Sequence, residues 1–271
     1  MDKQALSCAI TRSGGGQNAI DEIDTFWPRV ELLQQAGRYA PLVSQLCVAN
    51  DKNNFLALIL EINLAYQFES RDLPLTYEVK QAPDHNSSID FLRILPSADH
   101  VYLEVRLLQE GHADRSEQDE IIRIQSTILS KVQKTNGVPI KFFSTAANAV
   151  NIVVIDASSS ILGMLDFHDC MLATHGDPHV EEIFRRGIFG LFQEDRPEYP
   201  DHIHELAAKY RRIRATLHGI LFLFRPNVEL LAYQVEQYLL WNPLLIDTQR
   251  ARSIYADISS AIPFHAERNC D

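Results

Sequence analysis

The chain reads as an α/β protein with a central mixed sheet and extra helices at its N- and C-terminal ends, and three features predict this. Short runs rich in β-branched, aromatic and aliphatic residues follow one another at 75–79 (LTYEV), 89–95 (IDFLRIL) and 101–108 (VYLEVRLL). An amphipathic helical pattern begins at Ser116, behind a cluster of acids. An unbroken apolar run, NIVVID at 151–156, reads as a strand covered on both faces.

Taken in order, Gly14, Gly15 and Gly16 have neither a strand before them nor Gly-Lys-Ser/Thr after them, so no phosphate loop is formed. Residues 1–18 read instead as a flexible leader, and 19–271 as one domain. Helical patterns cover 20–35 and 39–48, parted by Gly37. Asn53 or Asn54 can cap a third helix, in which Phe55, Leu58, Ile59, Ile62 and Tyr66 recur at helical spacing. Glu61 and Glu69 sit within it, and Pro74 lies beyond its end. The three strand candidates follow, separated by Pro83, Asn86 and Ser87 and then by Pro96, Ser97 and Asp99.

The next helix is the best-signalled element. Ser116 and Asp119 form a capping box, and Glu117 and Glu120 complement the positive end of the helix. Ile121, Ile124, Ile128 and Val132 form its apolar stripe, Lys131 and Lys134 suit its last turn, and Gly137 ends it. A short strand fits 140–143. The helix between this region's strands predicts a right-handed crossover into NIVVID. Residues 162–173 and 178–191 read as largely helical, and 203–215 as a helix with a basic end. HGILFLF (218–224) is a buried strand. Residues 228–241 form an amphipathic helix, with Val228, Leu231, Val235 and Leu239 on one face.

Composition excludes several classes. Hydrophobic residues are 46% and charged residues 23%, which rules out a disordered tail, a collagen-like repeat and a rod. With Lys plus Arg at 25, Asp plus Glu at 36 and a net charge of −11, the balance argues against tight, non-specific binding of nucleic acid over the whole surface, but not against a local basic groove. Cys8, Cys47, Cys170 and Cys270 form no CxxC pair, and the first residues hold no apolar core of signal-peptide length. Apolar runs such as 220–224 are too short to span a bilayer. A reduced, cytoplasmic protein without a membrane partner is expected.

Strand alternation picks out the first candidate chemistry. Val101, Leu103, Val105 and Leu107 share one face; Tyr102, Glu104, Arg106 and Leu108 share the other. A carboxylate and a cation on a mostly buried strand must be paired, hydrated or coordinated. The preceding strand carries Asp90, and adjacent strands are close enough for Asp90 and Glu104 to converge on one hard cation. Glu78, at the end of the first strand, is a further candidate for the same cleft.

At these residues the chain resembles the PD-(D/E)XK, or restriction-endonuclease-like, superfamily. A helix with Glu61, a strand, a strand with Ser88-Ile89-Asp90-Phe91, a strand with Glu104-Val105-Arg106, a helix and a strand follow that family's αβββαβ order over about residues 53–156. Trp241-Asn242-Pro243 is similar to the tail of uncharacterised members. Ile89 stands where the family has proline, and Arg106 where it has the motif lysine. The resemblance implies phosphodiester cleavage, with DNA as substrate and Mg²⁺ or Mn²⁺ as cofactor. It implies Asp90, Glu104 and the Val105 carbonyl as metal ligands, Glu61 completing or orienting that shell, and Arg106 stabilising charge. Arginine keeps the positive charge but is bulkier and does not deprotonate. The alternative is a catalytically degenerate descendant serving as a binding or assembly module, with a protein partner or a second copy of itself. In that reading Glu104 and Arg106 survive as an ion pair.

Other motifs carry less chemistry. Lys209, Arg211, Arg212, Arg214 and Arg225 form the one basic segment; it reads either as a phosphate-binding face or as a solvated helix face paired with acids such as Glu205. His168, Asp169, Cys170, His175, Asp177 and His179 are ligand types, but Pro178 interrupts any helix through both His175 and His179, no zinc pattern is completed, and the stretch reads as a polar loop. His202 and His204 suit a helix start. Ser158, Ser159 and Ser160 lack the GxSxG elbow of a serine hydrolase.

Overall fold

The computed structural model describes residues 2–14, 20, 22–80, 87–108, 117–132, 144–157, 165–177, 179, 186–192, 197–224 and 236–262. In chain order these form α1 (Lys3–Arg12), α2 (Ile23–Ala36), α3 (Ala40–Val48), α4 (Lys52–Glu69), β1 (Thr76–Val79), β2 (Ile89–Ile94), β3 (His100–Leu107) and α5 (Glu117–Val132). Then come β4 (Ala149–Asp156), α6 (Phe167–Thr174), α7 (Asp201–Thr216), β5 (Gly219–Phe224), β6 (Glu236–Trp241) and α8 (Thr248–Ala261).

The six strands make one sheet whose spatial order equals chain order. β1, β2 and β3 are successively antiparallel, β4 and β5 run parallel to β3, and β6 returns antiparallel to β5. Parallel neighbours need long connections, and α5 lies in the one that joins β3 to β4. The expected order of helix, three strands, helix and strand is therefore present as α4-β1-β2-β3-α5-β4.

Alternation divides the sheet between two cores. Phe91, Leu103, Val105, Val154 and Leu221 pack with α1–α4 and α8 on the first face. Tyr102, Val153, Ile155, Ile220 and Phe222 pack with α5–α7 on the second. Every side chain of β4 is buried, which is why NIVVID carries no polar face. Among the described residues, no helix is long and apolar enough to cross a membrane.

Several expectations are corrected. Residues 3–12 are a helix and not a flexible leader. Asp2 caps it by accepting from the Ala5 amide at 2.8 Å, and Leu6, Ala9 and Ile10 bury one stripe completely. That stripe docks α1 against α2 and α3, which outweighs the weak pattern of the segment. The cap of α4 is Asp51, accepting from Asn54 N at 2.8 Å, in place of Asn53 or Asn54. Gly37 does end α2, in a left-handed conformation at φ 74°.

Residues 236–241 are a strand, not the end of an amphipathic helix. Pairing with β5 supplies their backbone partners, and Trp241 crosses so close to Gly219 that a Cβ there would meet its ring at 2.9 Å. Residues 188–191 are turns, where helix was expected. Ile188 and Phe189 donate backbone N–H bonds to Ala173 and Thr174, an approach that only Gly187 permits: a Cβ on it would lie 2.1 Å from the Thr174 carbonyl carbon. The expected cap at Ser116, the strand at 140–143, Lys134, Gly137, Ser158–Ser160 and Arg225 lie outside the described residues.

Candidate functional site

The site begins where a β-ladder stops. β2 and β3 pair from Ile94↔His100 to Phe91↔Leu103, and the same register brings Asp90 opposite Glu104. There the Val105 N–H donates to Asp90 Oδ2 at 2.7 Å. A carboxylate has taken the place of a strand carbonyl, and the two strands part.

The neighbouring strand bends at the same level. Tyr77 packs into the first core, yet Val79, two residues on, packs into the second. Between them Glu78 has φ 52°, a left-handed conformation that is costly for a residue with a Cβ. Likewise Phe91 belongs to the first core and Ile89 to the second. The strands thus turn over at Glu78 and Asp90. This leaves the Asp90 carboxylate between β2 and β3 and not above either face.

Glu104 and Arg106 follow the parity of Tyr102, towards α5–α7. Glu104 is fully buried, whereas Asp90 and Arg106 are half-buried. The expected Glu104–Arg106 ion pair does not form, and Arg106 makes no hydrogen bond or ion pair with any described residue. Glu61 comes from α4 on the other face, where its Oε2 accepts from the Tyr77 hydroxyl at 3.1 Å. Burial first, and then the negative fields of Glu61, Glu78 and Asp90, hold the Tyr77 phenol well above its ordinary value. Tyr77 therefore stays a neutral hydrogen-bond donor to Glu61 within the field of Asp90, a role the TYEV run did not signal. Glu78 is exposed and accepts from Gln45 Nε2 at 3.2 Å.

The donor set suits a hard cation. Asp90, Glu104 and the Val105 carbonyl offer only oxygen, and Mg²⁺ ordinarily takes one or two carboxylates and fills its shell with water and phosphate. No group of three or more His, Cys, Asp or Glu side chains is arranged around one ion among the described residues. The protein would hold the ion by two carboxylates at most, with one oxygen of Asp90 already engaged by Val105 N–H.

The basic segment is only partly exposed. Lys209 and Arg211 are half-buried and Arg212 is exposed, but Arg214 is buried, its Nη2 donating to the Phe192 carbonyl at 2.8 Å. Arg214 is therefore withdrawn from an open phosphate-binding face, because it packs on the sheet side of α7. His202 and His204 do stand in its first turn.

His168, Asp169 and Cys170 lie on α6, within the span 162–173 read as helical and not in a polar loop, with Asp166 and Asp169 forming a reciprocal capping box. Burial, then Asp169 and Asp166, push the Cys170 thiol well up. His175 is a structural residue: Nδ1 is 2.9 Å from Thr174 Oγ1, and Nε2 is 2.9 Å from the Trp241 carbonyl. Burial lowers its pKa, against the raising effect of that carbonyl.

No family model, curated protein or solved structure matches the chain.

Proposed function

We propose that the parting of β2 and β3 is a phosphodiester-cleaving site using Mg²⁺ or Mn²⁺, with DNA as the substrate class, in a core of the PD-(D/E)XK kind. The observation that carries this reading is the Val105 N–H donating to Asp90 Oδ2 at 2.7 Å opposite Glu104. It fixes one carboxylate in the gap between two strands, beside a second. The order α4-β1-β2-β3-α5-β4 supports the same reading. A bound divalent ion would supply an acidified water and neutralise the phosphoryl oxygens. Asp90 and Glu104 would hold that ion. Arg106, with no described anion to pair with, would face the charge that develops on the phosphoryl group. Tyr77 would hold the Glu61 carboxylate in place by its hydroxyl.

Complete burial of Glu104 favours a second reading, in which the site has closed and the fold serves as a binding or assembly module. One experiment separates the two. An active site predicts Mg²⁺- or Mn²⁺-dependent nicking of DNA, lost in Glu104→Ala and Asp90→Ala and kept or raised in Arg106→Lys. Absence of both divalent-ion binding in calorimetry and nicking would leave the module.

A further inference from the structure

We infer that the carboxyl end of α7 is a binding site for free phosphate or a phosphomonoester, held by Arg214. Its residues come from α7 and the turn at Phe192, not from the strands that carry Asp90 and Glu104, and it does not depend on those carboxylates being catalytic. Arg214 is 7% exposed. Of its guanidinium groups, Nη2 is satisfied by the Phe192 carbonyl at 2.8 Å, but Nη1 is buried with no hydrogen-bond partner. No described carboxylate pairs with it. A guanidinium removed from water needs an anion or several acceptors, and a single neutral carbonyl does not offset the loss of hydration.

The surroundings make the deficit larger. Burial lowers the pKa of Arg214, and Arg211, one turn earlier on α7, lowers it further by adding positive potential there. The negative end of the α7 dipole compensates only in part. Aromatic residues pack close by: Phe192, whose carbonyl accepts from Arg214, has its ring 5.7 Å from that of Tyr210 and 6.0 Å from that of Tyr199. Two arginines, one of them with an unused Nη1, favour a doubly charged oxyanion over a singly charged carboxylate, because the attraction grows with the ligand's charge. The depth of Arg214 suits a free or terminal phosphate; the diester backbone of a duplex would not reach it.

Isothermal titration of the full chain with inorganic phosphate tests the assignment, with acetate and a double-stranded oligonucleotide lacking terminal phosphates as comparison ligands. Phosphate should bind one to one and raise the melting temperature. Arg214→Lys keeps the charge but loses the fork, and should weaken binding about tenfold or more. Arg211→Gln, at a half-buried position, should weaken it by less and guards against misfolding of the first variant. No phosphate binding, binding unchanged in both variants, or equal affinity for acetate or the oligonucleotide would overturn the inference.

Discussion

Where β4 and β5 begin, Asn242 Nδ2 donates to the carbonyls of Arg214 and Leu217 at 2.8 and 3.0 Å, and its Oδ1 accepts from Leu244 N at 3.1 Å. Asn151 Nδ2 likewise donates to the Ser144 and Thr216 carbonyls at 2.9 and 2.8 Å. Towards the other end of β3, Glu104 is fully buried and Arg106 makes no described ion pair. At one end neutral side chains with several backbone partners stand beside a satisfied ion pair, Arg250 with Asp99 at 2.8 Å. Charged side chains, two of them carboxylates from adjacent strands, gather at the other. The first arrangement lowers the free energy of the fold; the second adds desolvation cost, which is the expected sign of a site kept for binding or chemistry.

The largest effect expected from this contrast is at Asn242. Asn242→Ala strips buried carbonyls of Arg214 and Leu217 of their donors, and should cost about 3 kcal/mol in denaturant unfolding. A loss under about 0.5 kcal/mol, the range of ordinary surface changes, would show that this end is not held by its polar bonds.

Glu104→Gln should be much milder. The amide keeps the shape and removes a charge that burial disfavours, so stability should change by less than about 1 kcal/mol or rise. Divalent-ion binding should fall in the same variant. A destabilisation as large as that of Asn242→Ala would make both ends structural and erase the comparison.

Much of this division was legible in the sequence, for physical reasons that differ by element. NIVVID announces its burial because both of its faces meet apolar partners, and the alternation in VYLEVRLL placed Glu104 and Arg106 on one side correctly. Asp90 stands out in the sequence as a carboxylate inside an apolar strand. Its bond to Val105 N–H does not, since register depends on pairing that one strand cannot encode alone. The left-handed Glu78 gave no signal, because glutamate has no preference for that conformation. Residues 236–241 show tertiary override: their spacing fits a helix, but β5 offers a ladder of partners. The docking of α1 likewise depends on a surface built by helices that follow it.

The smallest effect expected is the pH response of the closed end, where the only clearly shifted imidazoles among the described residues lie. His218 Nδ1 receives the Asn151 N–H at 3.2 Å, and its backbone N–H donates to the Asn151 carbonyl at 2.9 Å. The ring is held neutral mainly by burial, with the Arg250 charge adding to it and the Thr216 carbonyl, 3.1 Å from Nδ1, opposing it. A proton on Nδ1 would turn the ring towards Thr216 and set N–H against N–H at Asn151. His175 is lowered too, chiefly by burial. Because both folded pKa values lie below the ordinary 6.5, the unfolded chain takes up protons first as pH falls. Stability is therefore full above 6.5 and declines as pH drops towards the folded values. Both rings keep some solvent contact, so the decline should be smaller than the loss in Asn242→Ala. Denaturant midpoints measured between about pH 7.5 and 5.5, above the carboxylate range, should fall on acidification, and less steeply in His218→Gln. A flat profile in the native chain, or one unchanged by His218→Gln, would mean that protonation of this ring is not linked to the bonds that close the sheet.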